Sequence, residues 1–292
     1  MKLDFDQIII GSGVAGMTAA IYLKRAGKNV ALIEKSAPGG QINKSYKVEN
    51  YPGFREIDGP SLSMNVYEQT MGLGIDYLYG DVLDIVDHGE YFTVITDEKS
   101  YNCKKILIAT GRESKNLPAL GFEKFIGHGI SYCALCDGNF FKGKDVIVVG
   151  GGNSAFEDAL YLSGICKSVT ILVRSKVRAE KALTDVISSK DNVTVLLETE
   201  IKEIFGEESP EGVLLNNGDE IACDGIFIAV GSIPNLSFLK SISLKMEDGY
   251  VVVNNHMETS HKNIYAVGDV IRKDVYQLAT AVGEAATAAY FM

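Results

Sequence analysis

An α/β fold of two parallel-sheet units, the second inserted into the first, is what the sequence predicts, and three observations predict it. A segment repeats. Asp6 to Gly16 (DQIIIGSGVAG) and Asp145 to Ala155 (DVIVVGGGNSA) each run an apolar stretch into a glycine turn and then into helix-forming residues. Each helix leads into a second apolar stretch, residues 29–33 and 168–172, so β-α-β occurs twice. The chain is also long enough: 292 residues, 46% hydrophobic and 23% charged, fill two cores without disulfide or metal staples.

The elements follow in order. The strand at residues 6–10 feeds a helix from Met17 to Ala26, closed by Gly27. Residues 81–86 and 91–96 alternate apolar and polar, as antiparallel strands of a meander do. Lys105-Ile106-Leu107-Ile108-Ala109-Thr110-Gly111 reads as a buried strand. The second repeat gives a helix from Phe156 to Ser163, closed by Gly164, and residues 225–231 add a further parallel strand. Residues 263–269 form a last strand ending in Gly268-Asp269, and the Ala-rich stretch from Thr280 to Met292 is a helix. The boundaries fall near Glu113 and Leu244. Residues 1–113 and 245–292 make the first domain, and 114–244 the second.

Composition excludes several functions. Lys and Arg number 28 against 38 Asp and Glu, a net charge of −10, which disfavours nucleic acid and anionic membrane as partners. No apolar run approaches the roughly 18 residues of a membrane span. The acidic start, Met1 to Asp6, is no secretory signal. Five Cys are an odd number at low density, unlike a secreted disulfide scaffold. The expected compartment is the cytoplasm.

The first glycine turn has its full context. Gly11 permits the tight turn, Gly13 the approach of a pyrophosphate, and Gly16 the packing of helix on strand. The helix N-terminus offers N–H groups and a positive dipole end to phosphate. Glu34, with Lys35 after it, ends the second strand, 23 residues past Gly11, where a carboxylate holds a ribose diol. In the second turn (Gly150, Gly152, Ala155) the same count lands on Val173, which cannot do this. Arg174, Lys176 and Arg178 follow, three cations suited to a 2′-phosphate. That turn also serves plain strand–helix packing, so a lost nucleotide site stays open.

Cys133-Ala134-Leu135-Cys136-Asp137-Gly138 is the chemical centre. A C-x-x-C in such a protein is redox-active or half a metal site. Cys103, Cys166 and Cys223 are isolated, and His88, His128, His256 and His261 lack zinc spacing, so no metal is expected. Asp137 is placed to carry the proton of thiol–disulfide exchange.

These motifs together resemble the low-molecular-weight thioredoxin reductases, over nearly the whole chain. Gly39-Gly40-Gln41, Val48-Glu49-Asn50-Tyr51-Pro52-Gly53, Ala109-Thr110-Gly111 and Gly268-Asp269 resemble the family's flavin-contacting segments, and Cys133 to Gly138 its CAxCDG site. The resemblance implies two Rossmann-like FAD/NAD(P)-binding domains of the three-layer ββα kind. It implies FAD bound in the first by Gly11, Gly13, Val14, Ala15, Gly16, Glu34, Lys35, Gly40, Gln41, Asn50, Ala109, Thr110, Gly111, Gly268, Asp269, Gln277, Leu278 and Ala279. It also implies a reducible Cys133–Cys136 disulfide facing the flavin, with Cys136 nearer the flavin and Cys133 attacking thioredoxin, in a homodimer.

Three departures stand out. The family's His-Arg-Arg and following Arg read Val173, Arg174, Ser175 and Arg178, one residue shorter; its Arg-Gln-Ala reads Tyr276-Gln277-Leu278; and the chain stops early, at Met292. A ferredoxin-dependent branch of the family that has lost pyridine nucleotide resembles this pattern. Ferredoxin is therefore the expected donor, docking on a basic patch of Lys142, Lys144, Arg174, Lys176, Arg178 and Lys181. The alternative is an ordinary NADPH-dependent thioredoxin reductase with an altered 2′-phosphate site. A flavin oxidase or idle flavin-binding module is a third reading, against which the intact cysteine pair argues.

Overall fold

The computed structural model describes residues 3–45 and 47–292. The chain divides into two compact units. The first comprises residues up to Ser45, Tyr51–Glu113 and Ile233–Met292; the second comprises Ser114–Ser232 with residues 47–50.

In the first unit, β1 (Phe5–Ile10), α1 (Val14–Arg25) and β2 (Val30–Glu34) form the opening β-α-β. Next come α2 (Gly59–Met71), β3 (Asp76–Tyr79), β4 (Val82–Asp87), β5 (Phe92–Thr96) and β6 (Ser100–Ile108). β3, β2, β1 and β6 lie side by side and parallel. β6 has nine residues and serves two layers: residues 100–103 pair antiparallel with β5, which pairs with β4, while Cys103 to Ile108 pair with β1. Alternation then sorts the side chains. Ile8 and Ile10, Ala31 and Ile33, and Ile106 and Ile108 share one buried cluster with Val82, Ile85, Phe92 and Val94 of the meander.

A short strand, β7 (Arg112–Ser114), carries the chain out of this unit. The second unit repeats the plan with β8 (Ile130–Ser131), α3 (Ala134–Asp137), β9 (Asp145–Val149), α4 (Asn153–Ser163), β10 (Ser168–Val173), α5 (Lys181–Ser188) and β11 (Val193–Leu197). A meander of β12 (Ile201–Phe205), β13 (Gly212–Leu215) and β14 (Glu220–Ala222) precedes β15 (Gly225–Ile228). The parallel sheet runs β11-β10-β9-β15-β8. Val146, Val148, Val169 and Ile171 pack with Phe156, Ala159 and Leu162 of α4 on one face. Ile147, Val149, Leu172 and Ile226 pack with Ile204, Val213 and Leu215 of the meander on the other. Each unit is thus a sheet between helices and a meander, the three-layer fold the sequence predicts.

After β16 (Ser232–Pro234) come the hairpin β17 (Met246–Glu247) and β18 (Tyr250–Val251), then β19 (Ile264–Ala266), which joins β6 in parallel, and α6 (Leu278–Phe291). The return lies earlier than the expected 244. Phe238, Ile242 and Leu244 are buried in the first unit's cluster, and an apolar stretch goes where it can be buried. Both turn helices also start earlier than expected, at Val14 and Asn153, because Gly13 and Gly152 are themselves the N-caps.

Candidate active site

The first glycine turn is shaped by its neighbours at two positions and open at the third. Gly11 has φ +102°, and a Cβ there would lie 2.5 Å from the Ala109 carbonyl oxygen, at the end of β6. A Cβ on Gly16 would collide with the Gly11 carbonyl. Gly13 differs: its φ of −67° suits any residue, and a Cβ there meets no protein atom within 4 Å. Among the described residues nothing calls for a glycine at that place, and a bare backbone there is what a closely approaching pyrophosphate requires. No side chain caps α1, so its first N–H groups face that space.

Several of the other expected flavin contacts lie against this turn, and Asn50 groups with the second unit. Gly39 N–H donates to the Ser12 carbonyl at 2.9 Å, and a Cβ on Gly40 would lie 3.8 Å from Gly13 Cα. Gly268 stands against Ala15, and Val267 N–H donates to the Ile108 carbonyl. Gln41 Nε2 donates to the Arg112 carbonyl at 2.9 Å, and Arg112 lies 3.4 Å from Asp269. Gln277 is the N-cap of α6, with Leu278 and Ala279 in its first turn. The Thr110 hydroxyl donates to the Asn235 carbonyl at 2.7 Å, and the Thr110 carbonyl accepts from Asn235 Nδ2 at 3.2 Å.

Glu34 is already crowded with donors. Its Oε2 accepts from the Ser12 N–H and hydroxyl at 2.8 and 2.9 Å, and its Oε1 from Lys35 N–H, Ser36 N–H and the Ser36 hydroxyl at 2.9 to 3.0 Å. A carboxylate offers about four lone pairs. Of these bonds, the two that another hydroxyl could replace come from the Ser12 and Ser36 side chains. Neither serine carries a motif that the sequence alone would reveal.

Sequence reading also missed a half-buried ionic cluster behind Gly268. Glu284 of α6 accepts from Gly268 N–H at 2.9 Å and from Lys273 Nζ at 2.9 and 3.0 Å, and Lys273 lies 3.7 Å from Asp269. Tyr276, where the family has Arg, lays its ring against the Arg112 guanidinium, 4.0 Å from ring centre. Burial holds the Glu284 carboxyl above its usual range, against the pull of Lys273.

The second glycine turn repeats the first. A Cβ on Gly150 would meet the Ala229 carbonyl after β15, while a Cβ on Gly152 meets nothing within 4 Å, at an N-cap with φ −99°. Val173 is fully buried in the unit's core. The next residues fold back onto the turn: Arg178 N–H donates to the Gly151 carbonyl at 2.6 Å, and Asn153 exchanges hydrogen bonds with Glu180. Arg174, Lys176 and Arg178 therefore stand on the loop beside the open turn. The basic patch expected for ferredoxin does not form. Lys142 and Lys144 precede β9 while Arg174 to Arg178 follow β10, and these strands are parallel. The two groups sit at opposite ends of a sheet about 16–20 Å long.

Cys133 and Cys136 are joined in a disulfide. Cys133 caps α3, and the Cys136 N–H points at its sulfur at 3.2 Å. That contact favours the Cys133 thiolate once the bond opens. Leu135, between them, is exposed. Burial raises the Asp137 carboxyl above its usual range, and the Ser131 hydroxyl, donating at 2.6 Å, opposes that rise. Burial pushes the thiols of Cys103, Cys166 and Cys223 up to about 12, 11 and 12, which makes them inert small hydrophobes.

Residues 5–286 match the family model for pyridine nucleotide-disulphide oxidoreductases. The chain belongs to that family. Within it, a thioredoxin reductase of Bacillus subtilis (strain 168) is 39% identical over 292 residues, 98% of this chain and 92% of that one. One from Listeria innocua is 41% identical over 96% of this chain and 90% of its own. The crystal structure of thioredoxin reductase from Streptococcus pyogenes MGAS5005 superposes with a TM-score of 0.94 at 41% identity, covering 98% and 96% of the two chains. This chain is accordingly a low-molecular-weight thioredoxin reductase family member, an FAD-dependent disulfide reductase. The open cradle at Gly13, the helix terminus behind it and Glu34 fit FAD. The ferredoxin-dependent branch receives no support from these relatives.

Proposed function

We propose that the chain is a thioredoxin reductase of the pyridine-nucleotide type: an FAD enzyme that takes electrons from NADPH and delivers them to oxidised thioredoxin by way of the Cys133–Cys136 disulfide. The observation that carries the donor is the second glycine turn. It keeps an open Gly152 and three cations on the adjoining loop, features that plain packing of α4 on β9 does not need. FAD, when bound, supplies the two-electron chemistry that links a nicotinamide to a disulfide.

The chain's own residues do the rest. The first turn and α1 hold the pyrophosphate, Glu34 the ribose, and the Gly268–Asp269 turn the far end of the cofactor. Arg174, Lys176 and Arg178 hold the 2′-phosphate. Cys133, its thiolate favoured by the Cys136 N–H, attacks the thioredoxin disulfide; Asp137 gives a proton to the departing sulfur; Cys136 then displaces the reduced thioredoxin and restores the enzyme disulfide. The reading places the enzyme in the cytoplasm, where three reduced buried cysteines beside one redox pair are at home, and takes a homodimer as its assembly.

The test is anaerobic. NADPH, NADH or reduced ferredoxin is added to the flavoprotein and the flavin absorbance is followed. Micromolar NADPH should bleach it rapidly, and NADH less well, since Val173 offers no carboxylate to a free ribose. Bleaching by ferredoxin alone would overturn the donor.

A further inference from the structure

Ser131 lies two residues before the attacking sulfur, at the end of β8, and is 5% exposed. Its Oγ has three polar neighbours: Asp137 Oδ2 at 2.6 Å, the Cys133 N–H at 3.0 Å and the Cys133 carbonyl at 3.3 Å. A hydroxyl has one proton to donate and two lone pairs. With Asp137 ionised, the short contact takes the proton, and the lone pairs receive the Cys133 N–H. With Asp137 protonated, its carboxyl donates to Ser131 and the hydroxyl turns to the Cys133 carbonyl. Both states leave these buried groups bonded. A buried donor or acceptor left without a partner costs about 1–3 kcal/mol, so this arrangement lets a desolvated carboxyl gain and lose a proton without that penalty.

We propose that Ser131 is a positioning residue of the thiol chemistry: its hydroxyl ties the Asp137 carboxyl to the backbone of Cys133 in both protonation states, so acid and attacking sulfur hold one geometry through the cycle. The inference rests on the roles of Cys133 and Asp137 given above. The step it serves balances. Cys133 thiolate forms a bond to one thioredoxin sulfur and breaks the thioredoxin disulfide; the expelled sulfur takes the proton of Asp137. Cys136 thiolate then bonds to Cys133, and the second thioredoxin sulfur leaves. Thioredoxin gains two electrons and the enzyme dithiol loses two.

The environment isolates the effect. Burial and the Ser131 hydroxyl are what move the Asp137 carboxyl; no charged side chain enters. α4, packed against α3, carries Glu157, Asp158 and Tyr161, and β8 carries no titratable group. Removing a hydroxyl that donates to the carboxylate disfavours the ionised form. The protonated carboxyl loses a bond to Ser131 as well, but a hydrogen bond to an ionised group is roughly twice as strong as a neutral one, so the Asp137 titration should move up by about one pH unit.

The experiment uses the holoenzyme with its dithiol reduced, mixed with oxidised thioredoxin or with 5,5′-dithiobis(2-nitrobenzoate), across the acid to alkaline range. Release of a thioredoxin thiol needs the acid, so its rate falls as pH rises through the Asp137 titration. The nitrobenzoate thiolate leaves without a proton and reports the Cys133 thiolate alone. Ser131→Ala should move the thioredoxin fall upward by about one pH unit, and leave the nitrobenzoate profile in place. Ser131→Thr should restore the original position. Should Ser131→Ala lose its flavin, the isosteric pair Ser131→Thr and Ser131→Val makes the same comparison. A thioredoxin profile unmoved by loss of the hydroxyl, while Asp137→Asn changes it, overturns the proposal alone. A profile that Asp137→Asn also leaves unchanged overturns the assigned acid, and the proposal with it.

Discussion

The glycines of one turn do different work, and substitution separates them. A Cβ at Gly16 strikes the Gly11 carbonyl inside the unit, so Gly16→Val should fail to give folded protein. A Cβ at Gly13 meets nothing in the chain, so Gly13→Val should fold, keep its far-ultraviolet circular dichroism and come out nearly colourless. Full flavin in Gly13→Val would show that the pyrophosphate passes elsewhere. The two cysteines separate in the same way. Cys136→Ser leaves Cys133 able to attack and unable to be released, so a covalent complex with thioredoxin should build up on a non-reducing gel. Cys133→Ser should form none, and the reverse pattern would exchange the two roles. The Cys133–Cys136 pair was legible in sequence because its spacing is itself the chemistry. Ser131 was not: a serine has no signature until its 2.6 Å contact with Asp137 is known.

At the level of elements, β-strands and glycine turns were legible because a buried parallel strand must read as a short apolar run. What was not legible depends on tertiary burial. Residues 233–244 lack a strong period, and only the pocket left for Phe238 and Ile242 assigns them to the first unit. The pairing of Lys273 with Glu284 spans a loop and half of a helix, with no local pattern. Breaking it should be costly. Lys273→Met leaves a half-buried carboxylate without its cation, a loss of about 1–3 kcal/mol, visible as a lower urea midpoint and faster flavin loss. Adding Glu284→Gln, which keeps an acceptor for the Gly268 N–H, should recover most of it. On α4, burial and the neighbouring Glu157 raise the Asp158 carboxyl to about 7 from 3.8. The folded state therefore holds a proton that the unfolded chain releases. Stability is greatest below the unfolded value and falls as pH rises towards the raised one. Asp158→Asn abolishes that slope, so its urea midpoint should exceed wild type above pH of about 7 and match it near the ordinary carboxylate value of 3.8. Equal differences at both ends would mean that Asp158 is not held protonated.

For the whole molecule, the repeated fold makes a prediction that neither unit makes by itself. Gly13 and Gly152 occupy the same place in two copies of one plan: each is an N-cap in extended backbone, and at each a Cβ meets no protein atom. If both turns cradle a dinucleotide, the same substitution should silence a different half of the reaction in each unit. Gly13→Val removes the flavin, so no electrons reach the disulfide from any donor. Gly152→Val should retain FAD with a normal spectrum. It should still pass electrons to thioredoxin when the flavin is reduced chemically with dithionite, because Cys133, Cys136 and Asp137 are untouched. Only its reduction by NADPH should disappear, with the loss seen in the anaerobic bleaching rate and in binding of NADP⁺. Adding charge to the argument sharpens it. Arg178→Ala should weaken NADPH without weakening NADH, since only the 2′-phosphate calls for that cation. A Gly152→Val enzyme that still bleaches with NADPH at the wild-type rate would mean that the second copy of the fold is retained for packing and that the donor enters by another surface.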